Sequence, residues 1–221
     1  MRALVADPGA APSQYQYNPR DPVPTVGGSV SAAEDVMPAG GFDQRGQRGR
    51  LLGHRDTLPL GSRPDVLTFA TEPLAHDVEI VGPVEVVLFA ASSARDTDFT
   101  AKLIDEYPHS VDTPGGYALN LCDSIIRARF RNGFDREDLL TPGEIYEFRI
   151  TLYPTANVFS AGHRIRLDIS SSNYPRFDAN PNTGEPLGQS RRVAVADQAV
   201  YHDADRPSRL IVWSRKVLDI S

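Results

Sequence analysis

From residue 63 onward the apolar positions alternate with polar ones. Over 144–153, Tyr146, Phe148, Ile150 and Leu152 share one face and Glu147, Arg149 and Thr151 the other. A repeat of two is the mark of a half-buried strand. The pattern resumes after Gly162: Ile165, Leu167 and Ile169 are predicted to point inward, and Arg164, Arg166, Asp168 and Ser170 outward. Residues 84–91 are apolar on both faces, as suits a central strand. Shorter strands are predicted at 66–70, 77–81, 99–105, 117–122, 125–130, 192–196 and 208–213, with turns at Pro142-Gly143, Pro114-Gly115-Gly116 and Asn132-Gly133. No long apolar repeat of 3.6 exists, although 187–200 leaves room for one short helix. About eight to ten strands at this spacing predict an all-β, two-sheet β-sandwich, a jelly roll.

Residues 1–62 behave differently. They lack sustained periodicity and are punctuated by Pro8-Gly9, Pro22, Pro24, Gly27-Gly28, Gly40-Gly41 and Gly61. Such a stretch cannot assemble a core of its own. It is expected to be a long irregular N-terminal arm, an extended linker that is either disordered or lies over another surface. The chain therefore divides near residue 62 into an arm (1–62) and a sandwich domain (63–221).

Composition narrows the function classes. The 221 residues are 40% hydrophobic and 24% charged, ordinary values for a globular protein. A net charge of −6 argues against nucleic acid as a partner. Cys122 is the sole cysteine, which excludes an internal disulfide and a cysteine-based zinc site; a small buried hydrophobe is the expected role. No apolar run approaches the roughly 18–20 residues of a membrane span. The opening residues, Met1 to Pro8, are too weakly apolar for a secretory leader. A cytoplasmic protein is the expectation.

The search for chemistry is mostly negative. An α/β-hydrolase serine needs glycines two positions to either side on a tight strand-to-helix turn. Ser29, Ser160 and Ser190 each have only one of the two. His54, His76, His109, His163 and His202 form no metal-binding pair; structural or solvated roles are expected, with His54 a candidate contact to a partner domain. Residues 178–184 carry oxygen side chains at alternate positions, as calcium loops do, but lack the terminal carboxylate; an Asx-type turn is the stronger reading. Asp96 and Asp98 are expected to hydrogen-bond backbone. Arginine outnumbers lysine 21 to 2. Arg127, Arg129 and Arg131 read as one solvated or ion-paired strand face, or as forks docking carboxylates across an interface. No cofactor, metal or catalytic residue is assigned.

Several runs carry a resemblance. They are Asp96-Thr97-Asp98-Phe99-Thr100-Ala101-Lys102-Leu103, Asn157-Val158-Phe159 followed by Gly162-His163-Arg164-Ile165-Arg166-Leu167, and Ser170-Ser171-Ser172-Asn173-Tyr174-Pro175-Arg176-Phe177-Asp178 with Asn180-Pro181-Asn182-Thr183-Gly184 after it. Upstream, 21–28, 43–45 and 63–67 match in the same order. From about residue 15 to its end the chain resembles the linker and C-terminal domain of the cocaine-esterase-type acyl hydrolases (CocE/NonD) and the X-Pro dipeptidyl-peptidases.

The resemblance implies a galactose-binding-like jelly roll that packs beside an α/β-hydrolase domain and helps wall its cleft. The catalytic triad of such enzymes lies in the hydrolase domain, and no residue here corresponds to it. Met1 falls downstream of where the catalytic histidine would lie, so a split gene product, a truncated frame or a remnant is expected. The partner is then a hydrolase domain in trans or from a split gene, with a homo-oligomer as a further option. Asn173, Tyr174, Arg176, Phe177 and Asp178 are the candidate domain-facing contacts. The alternatives are a stand-alone carbohydrate- or ligand-binding module, using Trp213 and the tyrosines, and a residual hydrolase built on Ser170, Ser171, Ser172 and His163.

Overall fold

The structure, a computed structural model, describes residues 2–5 (as backbone), 11–28, 41–45 and 58–214. His54 and Ser29 lie outside the described residues. Ten strands are present: β1 (Arg2–Val5), β2 (Ser13–Tyr17), β3 (Leu67–Ala70), β4 (Val78–Ser92), β5 (Asp98–Tyr107), β6 (Tyr117–Arg127), β7 (Ile145–Phe159), β8 (Arg164–Ser170), β9 (Ala196–Tyr201) and β10 (Arg209–Val212). They form two antiparallel sheets. One has the order β1-β10-β4-β9-β2, with β7 on the other edge of β4; the second has the order β3-β8-β5-β6.

The alternation seen in the sequence builds the core between the sheets. Val84, Val86, Leu88 and Ala90 of β4 and Phe148, Ile150 and Leu152 of β7 meet Phe99, Ala101 and Leu103 of β5 and Ile165 and Ile169 of β8. The Phe99 and Phe148 rings meet across the gap, 4.8 Å between centroids and tilted by 50°. Each such side chain contributes about 1.5–3 kcal/mol by leaving water. As expected, 84–91 is central: β4 is flanked by β7 on one edge and by β9 and β10 on the other.

Several boundaries differ from expectation. The strands predicted at 77–81 and 84–91 are one strand, because the register slips between Gly82 and Val84 instead of the chain turning. Those predicted at 117–122 and 125–130 are likewise one strand with a slip opposite Leu103 and Ile104, ending in a 3-10 turn at Ala128–Phe130. The short helix allowed over 187–200 is absent. Leu187, Val193 and Val195 remain exposed, and the buried Ala196 and Val200 belong to strand β9. The strand placed at 192–196 starts instead at Ala196.

Parts of 1–62 contribute to the sandwich itself. β1 pairs with β10 and β2 with β9. Tyr15 and Tyr17 enter the core, where burial pushes both phenols well above their ordinary range. Farther on, Pro24 bridges Tyr174, and Asp43 bridges Leu119. This covering changes the outer face of the four-stranded sheet. Arg166, Asp168 and Ser170, predicted to point into water, are buried, as are Thr100 and Lys102 beside them.

Candidate functional site

A row of polar side chains crosses the covered face. Thr68 of β3 stands opposite Asp168 of β8, which stands opposite Lys102 of β5, which stands opposite Asp123 of β6. Thr68 Oγ1 donates to Asp168 Oδ1 at 3.1 Å, and the Arg166 fork grips the same carboxylate at 2.8 and 2.9 Å. Lys102 Nζ donates to Gln44 Oε1 at 3.2 Å. Burial pushes the Lys102 ammonium below its ordinary range, opposed by Asp123 and Asp168. Asp123 accepts from Asn173 Nδ2 at 2.9 Å and is ion-paired with Arg176.

The far end of this row anchors the loop after β8. Residues 23–25 hold the other side of that loop. Val23 N donates to Ser172 Oγ at 2.9 Å and Tyr174 N to Val23 O at 2.9 Å. Thr25 N donates to Tyr174 O at 2.6 Å, and Arg176 N to Thr25 Oγ1 at 3.2 Å. Burying polar groups costs least when each is paired, and in this layer Asn173 Oδ1 is a buried acceptor with no donor among the described residues.

The five candidate contacts therefore divide. Asn173 is fully buried, so its amide serves Asp123 and is not offered at the surface. Tyr174 and Asp178 are exposed, and Phe177 is half-buried. Arg176 lies across the rings of Tyr153 and Phe177, at 5.7 and 5.2 Å. Three grooves adjoin along this segment. One of about 660 Å³ lies between Tyr153, Pro154 and Phe177. One of about 760 Å³ is lined by Ile126, Phe130, Phe134 and Phe177 with Arg127 and Arg149. A smaller one of about 230 Å³ continues along 178–181 to Leu187. Phe134 is 88% exposed. Sequence reasoning missed Phe130, Phe134 and Tyr153 as surface residues. The available signals were an aromatic just after the Asn132-Gly133 turn and another on the polar side of β7.

The remaining motifs are structural. Asn182 N donates to Asn180 Oδ1 at 2.9 Å, the Asx turn expected for 178–184. Asn180 Nδ2 donates to Asp96 and Asp98. Those carboxylates are also held by Arg129 and Arg127 at 2.9 Å, and Arg129 N donates to Asp96 Oδ1. The arginines are thus ion-paired within the chain. Arg129 sits in the 3-10 turn and Arg131 just after it, so the three do not form one strand face. Cys122 is buried, which pushes its thiol up to about 12.

Nucleophilic chemistry finds no support in these positions. Ser170 bonds Thr100, Ser171 bonds Tyr15, and Ser172 accepts from Val23. His163 Nδ1 instead pairs with Asp105 Oδ1 at 2.8 Å, and its ring lies 4.1 Å from Tyr107. Ser13 Oγ and His202 Nε2 are 3.1 Å apart, but Ser13 opens the extended strand β2. The described helical elements are two three-residue 3-10 turns, so no strand-to-helix elbow exists among the described residues.

Fold and topology define an antiparallel two-sheet β-sandwich. Residues 5–211 match the family of the X-Pro dipeptidyl-peptidase C-terminal non-catalytic domain. The chain is 38% identical over 200 residues to cocaine esterase of Rhodococcus sp. (strain MB1 Bresler), a match covering 90% of this chain and 31% of that protein. Among solved structures it is similar to an α-amino acid ester hydrolase (TM-score 0.78, 31% identity) and to an aminopeptidase from the marine sediment archaeon Thaumarchaeota archaeon (TM-score 0.74, 28% identity). Each of those matches covers 93% of this chain and 33% of the other. The chain spans about a third of the length of the relatives it matches. It belongs to the X-Pro dipeptidyl-peptidase C-terminal domain family, the non-catalytic β-sandwich of CocE/NonD-type hydrolases. Among the described residues no helix is long and apolar enough to cross a membrane.

Proposed function

We propose that this sandwich works as the non-catalytic partner of an α/β-hydrolase domain, packing beside its active-site cleft and forming part of the cleft wall. The observation that carries this reading is the partial-length match: the same domain recurs as about a third of proteins named for cleaving acyl bonds. A wall can shape substrate choice and exclude water, but it supplies no nucleophile. The partner stands in cis or in trans, and the loop at 174–178 faces it. That loop is fixed from both sides, by Asp123 and by residues 23–25, as a contact surface requires.

The test is paired. The purified chain is incubated with a fluorophosphonate probe and with ester and X-Pro-amide substrates, and it is co-expressed with a tagged α/β-hydrolase domain. Absence of label and turnover, together with co-purification, supports the reading. A labelled Ser13, with turnover lost in Ser13→Ala, overturns it by showing that the Ser13–His202 pair is reactive.

A further inference from the structure

We propose that residues 23–28, 41–45 and 58–62 act as one strap, latched by Gln44, that lifts from the four-stranded sheet while the sandwich core stays folded and so releases one side of the 173–178 loop. Gln44 is fully buried, and every polar group it carries is used. Its Nε2 donates to Val26 O and Phe42 O, both at 3.0 Å, and its Oε1 accepts from Lys102 Nζ. Its backbone N donates to Ala118 O at 2.8 Å, and its carbonyl accepts from Leu60 N at 2.9 Å. One residue thus ties the three segments to each other and to strands β5 and β6.

The strap is separable because of what lies beneath it. Tyr15 and Tyr17 of β2 belong to the core between the sheets; Val23, Val26 and Leu60, the buried apolar side chains of the strap, do not. They rest over the row of Arg166, Asp168, Lys102 and Asp123, which water can solvate. A segment with little hold on the apolar core opens at less than the global cost. Closure also carries a penalty that opening relieves. Asn120 and Asn173 each bury an Oδ1 with no donor among the described residues. Asn120 N donates to Phe42 O, and the neighbours of Asn173, Ser172 and Tyr174, both bond Val23, so both amides lie along the strap. Burial also disfavours the Lys102 ammonium, which faces Asp123 and Asp168 with Arg166 and Arg176 opposing. Water entering the row rehydrates all three groups. The loop follows because residues 23 and 25 make one of its two sets of anchors, to Ser172, Tyr174 and Arg176. With the strap lifted, only Asp123 holds it.

The chain has two lysines, Lys102 and Lys216. Acylation of the intact chain with N-hydroxysuccinimidyl acetate, resolved by peptide mapping, therefore reports opening at Lys102, and amide hydrogen exchange at Val86 and Phe148 reports opening of the core. The opening constant from Lys102 is expected to exceed that of the core by about tenfold or more and to depend more weakly on urea, because less surface is exposed. Gln44→Ala removes three side-chain bonds and should raise Lys102 acylation about 10- to 100-fold. Ile150→Val, a change confined to the core, should speed core exchange about 2- to 10-fold and leave Lys102 acylation unchanged. Acylation that tracks core exchange in urea, or that rises with Ile150→Val, makes the opening global and overturns the proposal. Acylation unmoved by Gln44→Ala overturns the latch, and a Gln44→Ala chain that does not fold overturns separability. Trypsin cleavage after Arg176 should accelerate in Gln44→Ala; unchanged cleavage overturns the release of the loop.

Discussion

Removing the carboxylate of Asp123 is the sharpest perturbation of the buried layer. Asp123 is 2% exposed. Its oxygens hold Asn173 and Arg176, and Lys102 stands beside it in register. Asp123→Ala leaves the Arg176 guanidinium and the Asn173 amide without their acceptor and removes one of the two carboxylates beside Lys102. Breaking a buried ion pair from one side costs about 3–5 kcal/mol. Arg176 is 11% exposed and can turn toward the adjoining groove, which places the expected loss at the lower end, about 3–4 kcal/mol. At about 2–4 °C per kcal/mol for a chain of this size, the melting temperature falls by roughly 6–16 °C. Asp123→Asn keeps the shape and an acceptor, so its cost is smaller, about 1–3 kcal/mol. Urea denaturation followed by far-ultraviolet circular dichroism measures both. Limited trypsin digestion adds a local readout: cleavage after Arg176 should accelerate in Asp123→Ala, because the loop loses one of its two anchors. A loss below about 0.5 kcal/mol, the range of ordinary surface changes, with unchanged cleavage at Arg176, would refute the reasoning.

Lys102 gives a pH signature. Burial lowers its affinity for the proton, so the folded chain releases that proton before the unfolded chain does. In that window below 10.5 the unfolded state binds more protons, and stability from this group rises with pH. The stability of the native sequence minus that of Lys102→Met should therefore grow toward alkaline pH; a flat or falling difference in urea titrations would contradict it. Cys122 has the opposite sign: its thiol is raised from 9.0 to about 12, so its contribution is present below pH 9 and lost as pH climbs through about 12. It should resist iodoacetamide at pH 8 in the folded chain and react in urea, with mass spectrometry counting the adduct. Gly116 and Gly143 both have positive φ (+84° and +83°), but a Cβ at Gly116 would lie 2.7 Å from the Tyr107 carbonyl oxygen, whereas Gly143 has open space. Gly143→Ala should cost about 1–2 kcal/mol for the backbone conformation alone, and Gly116→Ala measurably more in the same thermal melts.

Much of the sandwich was legible because strand alternation is a local property. The inward residues of β7 and β8 were named correctly from their spacing, and most strands after residue 63 were found to within a few positions. The errors share a cause. Strands split at a suspected turn are continuous, because Gly82-Pro83 and the residues near Cys122 take up a register slip without reversing the chain. β1 and β2 were missed because each is short: Tyr15 and Tyr17 show the right period over only five residues amid proline and glycine. The loop 173–178 was picked out by family resemblance. Its division into a buried Asn173 and an accessible Tyr174 and Asp178 depended on contacts with residues about 50 and 150 positions away.

The sequence alone determined which side chains alternate, where tight turns form, and that no serine carries the glycine flanks of a hydrolase elbow. It also carried the motifs that place the chain in its family. Tertiary structure decided what covers the second face of the β3-β8-β5-β6 sheet. A period of two specifies that two faces exist but says nothing of what lies against each. Arg166 and Asp168 read as solvent-facing until Gln44 and the turn at Leu60–Ser62 are folded over them. Water is excluded there by segments distant along the chain, and only that exclusion turns a row of ordinary polar residues into the buried layer that sets the loop at 173–178.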